Sequence, residues 1–287
     1  MRSARTVGIA LTAPADYASW TRRGSLDRGD GVVAPVASLS RGPAVQRIAV
    51  ISDVHSNLQA LSTVLARIDE LQCDEIYCLG DIVGYGARPH ECLELVRGTG
   101  ATCIQGNHDA LVADGTLELG FNPRSLQAVV HNRELLTESD LDWLAALPTR
   151  RDLDGGTVLA HGSPADRDRY LLFSRDLEQV RREQETAVGP GVTFFGHTHQ
   201  PVCFGGDGAV PEPLGVVDVP PAMRVLVNPG SVGQPRDGDP RAALLLWEPD
   251  SGRLTFERIE YDVETARREI LEAGRPERLG DRLREGR

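Results

Sequence analysis

The sequence predicts an α/β fold, and three observations carry that prediction. From Arg47 onward, short apolar runs rich in β-branched residues alternate with segments of helical spacing. Asp, Asn and His cluster directly after those runs. Strand-like segments dominate the last half of the chain, which points to two sheets packed face to face.

The elements follow in order. Residues 1–46 lack periodicity and are rich in Ala, Gly, Ser, Pro and Arg, so they read as a disordered extension. Arg47 to Ser52 is the first strand, ending at Asp53. Ser56 or Asn57 can cap the next helix, Leu58 to Leu71, whose Leu58, Leu61, Val64, Leu65 and Ile68 keep helical spacing. Glu75 to Leu79 is a strand ending at Gly80-Asp81; Pro89 starts a helix to about residue 97, and Thr102 to Gln105 is a third strand ending at Asn107. This repeat of strand, polar loop and helix predicts a largely parallel first sheet. Two helices follow, Pro123 to Leu136 and a Thr137-capped segment to about residue 147 that Pro148 stops. Thr157 to Ala160 is a strand ending at His161, Ser174 caps a helix across 175–187, and Val192 to Phe195 is a strand ending at Gly196-His197. Past a region rich in Pro and Gly, strands are expected at Arg224 to Val227, Ala242 to Trp247 and Leu254 to Glu260. Residues 263–287 read as a charged terminal helix with a frayed end. With no internal repeat and no linker after residue 46, one folded domain is expected over 47–262.

Composition bounds the function. At 287 residues and 40% apolar content the chain can bury a sizeable core. Six Arg against Asp16, Asp27 and Asp30 give residues 1–46 a net +3, which leaves −14 for the rest of a chain whose total is −11. Such an acidic surface repels nucleic-acid backbones and anionic membranes, so general binding to either is not expected. A small anion can still bind where metal supplies the charge. The five cysteines form no C-x-x-C pair and read as free thiols of a reducing compartment. No apolar run reaches the ~18 residues of a membrane span, and Val7 to Leu11 falls short of the ~7–15 residues of a signal core. The expected location is cytoplasmic.

Five of the seven histidines lie in five clusters: Asp53-Val54-His55, Gly80-Asp81, Gly106-Asn107-His108-Asp109, His161-Gly162 and Gly196-His197-Thr198-His199. Each follows a predicted strand, and strand carboxyl ends converge on one edge in such folds. Asp53 and His55 are two apart, as are His197 and His199, so in extended backbone each pair can point one way and grip one ion. Imidazole, carboxylate and amide without thiolate suit Mn²⁺, Fe, Zn²⁺ or Co²⁺ rather than a Cys-type structural zinc. Asp53, His55, Asp81, Asn107, His161, His197 and His199 exceed the need of one tetrahedral ion; two ions sharing a carboxylate would use them all.

The series Asp53-x-His55, Gly80-Asp81-x-Val83-Gly84, Gly106-Asn107-His108-Asp109, His161-Gly162 and Gly196-His197-x-His199 resembles the signature of the calcineurin-like metallophosphoesterases, over roughly residues 47–260. The resemblance implies a four-layer α/β/β/α sandwich of two packed mixed sheets with two divalent ions at the sheet edge. One ion would be held by Asp53, His55, Asp81 and His199, the other by Asp81, Asn107, His161 and His197, with Asp81 bridging. Manganese is the first expectation, with Fe, Zn, Co or Ni as alternatives. His108 is surplus to the ligands; by resemblance it binds the phosphate and protonates the leaving oxygen, with Asp109 as a candidate to orient its ring.

Two divalent ions against two aspartates make a positive pocket in an acidic protein. Ions about 3.5–4 Å apart can each take a phosphate oxygen while a bridging water, deprotonated near neutral pH, attacks phosphorus in line. The Ser/Thr phosphatase branch follows its Gly-Asp with Asp and Arg and reads Asn-His-Glu; here Gly84 and Tyr85 follow, and Asp109 succeeds His108, so the chain looks more like the small bacterial and archaeal phosphodiesterase branch. Hydrolysis of phosphodiesters leads, with phosphomonoesters or dinucleoside polyphosphates as alternatives and a non-catalytic scaffold as a lesser one. The expected partner is a small phosphate ester, a nucleotide among the candidates, and a homo-oligomer is left open. Asn228 to Arg236, a strand end breaking into a Gly and Pro turn, also resembles that branch and can bring Arg236 to the metal edge. Substrate selection is expected from the helical segment 122–147 and the loop 201–223, and Tyr85 or Trp143 can stack on a base.

Overall fold

A computed structural model describes residues 46–115, 123–185, 191–205, 208–211, 213–220 and 222–287. The extension expected over 1–46 lies outside the described residues except for its last one.

Two six-stranded sheets form the centre. The first runs β3 (Thr102–Cys103), β2 (Glu75–Cys78), β1 (Ile48–Ile51), β11 (Ala242–Glu248), β12 (Arg253–Ile259) and β9 (Gly215–Asp218). The second runs β4 (Arg150–Leu153), β5 (Thr157–Ala160), β6 (Gly191–Phe194), β10 (Arg224–Asn228), β7 (Val202–Gly205) and β8 (Gly208–Pro211). Only β3, β2 and β1 are mutually parallel in the first sheet; β11 pairs antiparallel with β1, placing Leu245 opposite Val50. The largely parallel first sheet of the sequence reading is therefore corrected. The hairpin β11–β12 completes that sheet by adding to β1's free edge. The second sheet is mixed too, with β5, β6 and β10 parallel.

Side-chain alternation sorts the layers. Ile48 and Val50 face the second sheet with Tyr77, Leu245 and Trp247. Ala49 and Ile51 face the opposite way, toward α1 (Leu58–Glu70), α2 (Pro89–Gly98), α3 (Asn107–Asp114) and α5 (Glu138–Ala146). In β10, Val225 and Val227 point into the inter-sheet core, and Leu226 points out to Leu177 and Val180 of α6 (Ser174–Glu185). The outcome is four layers, α/β/β/α. Each fully buried Leu, Ile or Phe of these layers contributes about 1.5–3 kcal/mol relative to exposure.

Most element limits follow the sequence. Asn57 caps α1 by accepting the Ala60 N–H, and Thr137 with Asp140 forms a reciprocal cap on α5. Four features differ. α3 begins at Asn107 itself, directly where the third strand is expected to end and no helix is expected. Ser174 is the first residue of α6 rather than its cap, and Asp176 accepts the Phe173 N–H. The loop expected over 201–223 contains β7, β8 and β9. The single terminal helix is two, α7 (Val263–Glu272) and α8 (Glu277–Glu285), whose Ala266, Ile270, Leu279 and Leu283 pack against Tyr85 and Ala128 of α4 (Pro123–Leu135).

Candidate metal centre

The carboxyl ends of β1, β2, β3, β5 and β6 meet at one edge of the two sheets, and all seven expected ligands lie there, buried. Their backbone is not extended. Asp53 (φ 54°), His55 (φ 48°), Asp81 (φ 53°), His197 (φ 66°) and His199 (φ 59°) occupy the left-handed region. Such a conformation costs about 1–3 kcal/mol per non-glycine residue and persists where neighbours over-determine it. The loops do so by clamping one another: Asp53 N–H donates to Gly80 O (3.0 Å), His55 N–H to Asp81 O (2.9 Å), Gly196 N–H to His161 O (2.8 Å) and Gly233 N–H to Asp53 O (3.0 Å). Close approach also explains two glycines. A Cβ on Gly106 would lie 2.1 Å from Asp81 Oδ1, and one on Gly84 (φ 113°) would lie within 2.9 Å of ring nitrogens of both His108 and His55.

The groups sort into three sets, of which His55, Asp81 and His108 form one that overlaps the other two. Asp53, His55 and His199 place ligand atoms within 4.8 Å of one another, as do Asp81, His161 and His197. Asp81 Oδ2 lies between the sets, 3.6 Å from His55 Nε2 and 3.4 Å from His161 Nε2. Asn107 joins the second through its Oδ1, 3.0 Å from His161 Nε2. The extended-pair expectation thus fails for His197 and His199, whose left-handed backbone turns them to different sets.

Ring tautomers follow from the partners, because a carbonyl oxygen only accepts. His55 Nδ1 faces Val83 O at 3.2 Å, His161 Nδ1 faces Leu79 O at 2.7 Å and His199 Nδ1 faces Gln234 O at 2.5 Å, so each Nδ1 carries a proton; the neutral His55 and His199 rings turn an Nε2 lone pair inward, while without an ion Asp81 keeps His161 Nε2 protonated as well. His55 Nε2 and His199 Nε2 then face each other at 3.0 Å. Two lone pairs at that distance, beside Asp53 and Asp81, favour a positive charge between them, which a metal ion or a proton on one ring supplies. His197 is oriented the other way: its Nε2 donates to Asp168 O at 3.2 Å, leaving Nδ1 inward. The donor set fits divalent ions.

Charge agrees. Burial alone would raise the Asp53 and Asp81 carboxyls, but His199 beside the first and His161 beside the second hold both well below the usual range. Burial opposes charge on His161 as well, yet Asp81 pushes it up to about 9. Burial pushes His197 down to about 3 and His108 down to about 4.

His108 donates its backbone N–H to Asp81 Oδ1 (2.8 Å), and its ring lies 5.0 Å from that of His55 and 4.5 Å from that of Tyr85. Asp109 is engaged with two backbone N–H groups. Its oxygens accept the N–H groups of Val83 (3.1 Å) and Gly106 (3.0 Å), which fixes two ligand loops. Burial and the Asp81 charge push this carboxyl up to about 7. The Asn228–Arg236 stretch is scaffold: Ser231 Oγ donates to Asp53 O (2.8 Å), Asn228 Nδ2 to Gly196 O (2.8 Å), and Gln234 O accepts the hydrogen bond of His199 Nδ1–H. Arg236 reaches the rim, with its guanidinium 5.8 Å from the centre of the Tyr85 ring. Trp143 packs with the helix-side core under Arg97, away from the centre. His90 and His131, the two histidines outside the clusters, face Asp140 (2.8 Å) and Glu134 (3.5 Å).

Three contributors escaped the sequence reading. Asn132 Oδ1 accepts from Ser56 Oγ (2.8 Å) and Gly84 N–H (2.6 Å), tying α4 to two ligand loops; its signal was a polar residue three and four positions after the buried Val129 and Ala128. Tyr170 stacks on His197 with ring centres 3.9 Å apart. Arg282 of α8 is close enough to Arg236, Tyr85 and Tyr170 to feel their charge. Nothing in the local sequence marks the last two.

A four-layer sandwich whose sheet edge gathers paired Asp/His cation sites defines a metal-binding phosphoesterase fold. Residues 47–250 match the calcineurin-like phosphoesterase superfamily domain, and the chain belongs to that family. An uncharacterized protein of Methanocaldococcus jannaschii is 35% identical over 245 residues, covering 84% of this chain and 98% of its own length. The crystal structure of a metallophosphoesterase from Sphaerobacter thermophilus is similar at 40% identity and TM-score 0.75, over 85% of this chain and 100% of that one. A hypothetical protein from Pyrococcus horikoshii shares the fold at 21% identity and TM-score 0.69, over 84% of this chain and 98% of its own. Among the described residues, no helix is long and apolar enough to cross a membrane.

Proposed function

We propose that the protein is a dinuclear-metal-dependent phosphodiesterase acting on a small phosphate diester. The observation that supports it most directly is the pair of inward lone pairs on His55 and His199, 3.0 Å apart beside two buried carboxylates. Asp53, His55, Asp81 and His199 would hold one ion; Asp81, Asn107, His161 and His197 would hold the other, with Asp81 shared. When bound, the ions supply positive charge for phosphate oxygens and lower the pKa of water toward neutrality. Nitrogen and oxygen donors without thiolate suit Mn²⁺, Fe, Zn²⁺ or Co²⁺, of which manganese is the first expectation. Five free cysteines, four of them buried, fit the reducing cytoplasm.

The chain's own residues do the rest. Backbone carbonyls fix the three Nδ1 protons, so the rings cannot rotate away from the ions. His108, beside the shared Asp81, is positioned to protonate the leaving oxygen as the bond from water to phosphorus forms and the bond to the leaving group breaks. Burial keeps its ring neutral, so it would take its second proton from solvent as the diester binds, the phosphate's negative charge raising the ring's affinity for it.

The test is hydrolysis of bis(p-nitrophenyl) phosphate beside p-nitrophenyl phosphate, using chelated protein with Mn²⁺, Ni²⁺, Co²⁺, Zn²⁺ or Mg²⁺ restored singly. Metal-dependent turnover favouring the diester is expected. Preference for the monoester would replace the reading with a phosphomonoesterase, and no turnover by protein holding two ions would make it a scaffold.

A further inference from the structure

Aromatic rings flank the centre beside different histidines. Tyr85 abuts His55 and His108, with ring centres 4.6 and 4.5 Å away, and is 9% exposed. Tyr170 abuts His197 and is 47% exposed, with Leu172 (50%) and Phe173 (57%) following it into solvent. Arg236 spans the rim between the two. Its guanidinium lies over Tyr85 and interacts with the Tyr170 hydroxyl, and its Nε is buried without a hydrogen-bond partner. Arg282 adds a second guanidinium, so two like charges share a rim where an anion would relieve them.

This placement gives the two halves of a diester different surroundings. His108, the group placed to serve the leaving oxygen, is at the Tyr85 end, so the retained group projects past His197. A stacked, half-exposed tyrosine leading into an apolar strip suits a flat ring rather than an alkyl chain or a sugar, because every aromatic or heteroaromatic group offers a π-face and none needs to be read by hydrogen bonds.

We propose that Tyr170 determines specificity: it stacks on a planar aromatic or nucleobase group carried by the retained alcohol of the phosphodiester, while Arg236 neutralises a non-bridging phosphate oxygen. The assignment rests on the phosphodiesterase reading above and extends it to a substrate class, aryl or nucleoside diesters.

Two substrates with one leaving group test it: bis(p-nitrophenyl) phosphate, whose retained group is aromatic, and methyl p-nitrophenyl phosphate, whose retained group is not. The parent is expected to prefer the first, and Tyr170→Ala to reduce the ratio of the two kcat/KM values about tenfold, mostly through KM, with metal content unchanged. Tyr170→Phe, which keeps the ring, should keep the ratio. Equal loss on both substrates in Tyr170→Ala, or an unchanged ratio, would overturn the assignment while leaving the phosphodiesterase reading intact. Cleavage of neither diester by the parent would overturn both.

Discussion

The inner ring of ligands and the outer rim that surrounds it are built by different rules. In the inner ring, Asp53, His55, Asp81, His197 and His199 sit in left-handed backbone, buried, with ring nitrogens committed to particular carbonyls. The outer rim takes Tyr170 from a loop after β5, Arg236 from a turn after β10 and Arg282 from α8 near the chain end, with ordinary backbone at all three. The inner ring is specified by chemistry, which tolerates few residue types. The rim is specified by position, which many residues can satisfy.

Variants can break or sharpen that contrast. The largest effect is expected from His108→Ala: metal content should stay at the parent level while kcat falls about 10²- to 10⁴-fold. The loss should be steeper for a diester with a poorer leaving group, measured by comparing phenyl with nitrophenyl esters. If metal is lost instead, His108 belongs among the ligands.

A smaller effect is expected where the rim is supported from behind. Leu279, 2% exposed, and Leu283 seal α8 against Tyr85, and Ala266, Ile270 and Leu283 line a small pocket with His55, Tyr85 and Gln234. Leu279→Ala should cost about 2–5 kcal/mol of unfolding free energy by urea titration. It should raise KM for the diester without changing metal content. Unchanged KM in a destabilised variant would separate the C-terminal helices from the site.

The smallest effect concerns Asp140, remote from the centre. Burial would raise its carboxyl, but the Thr137 N–H and hydroxyl, with His90 beside them, hold it below the ordinary carboxylate range. A carboxyl whose pKa is lower folded than unfolded adds stability above the unfolded value, and that stability is lost as pH falls through the folded one. Thr137→Ala should cost about 1 kcal/mol at neutral pH. As pH falls through the lowered pKa of folded Asp140 and the carboxyl protonates in both proteins, the difference between them should shrink.

The sequence carried the inner ring because a ligand must be Asp, Asn or His, and because Gly80, Gly106 and Gly196 beside the ligands leave no room for side chains where strand ends meet. It concealed how the ring is oriented. Alternation suggested that His197 and His199 share an ion, whereas left-handed backbone, which Asp, Asn and His adopt more readily than most residues, sends them apart. Strands β7 to β9 were hidden by Pro201, Gly205, Gly208, Pro211 and Gly215, residues that signal a loop unless a neighbouring strand supplies the pairing. α8 was hidden by its charge: its apolar contribution is Leu279 and Leu283, too few for a pattern and enough for a contact. Tyr170 offered no signal, since a tyrosine gains meaning only from the imidazole it meets.

The central claim is two ions sharing Asp81. Crystals of the protein loaded with Mn²⁺, measured at the manganese absorption edge, test it directly. Two anomalous peaks are expected, one among Asp53, His55 and His199 and one among Asn107, His161 and His197, with the Asp81 carboxylate between them, and Asp81→Asn should abolish at least one. A single peak in the parent, or two undiminished peaks in Asp81→Asn, would contradict the account.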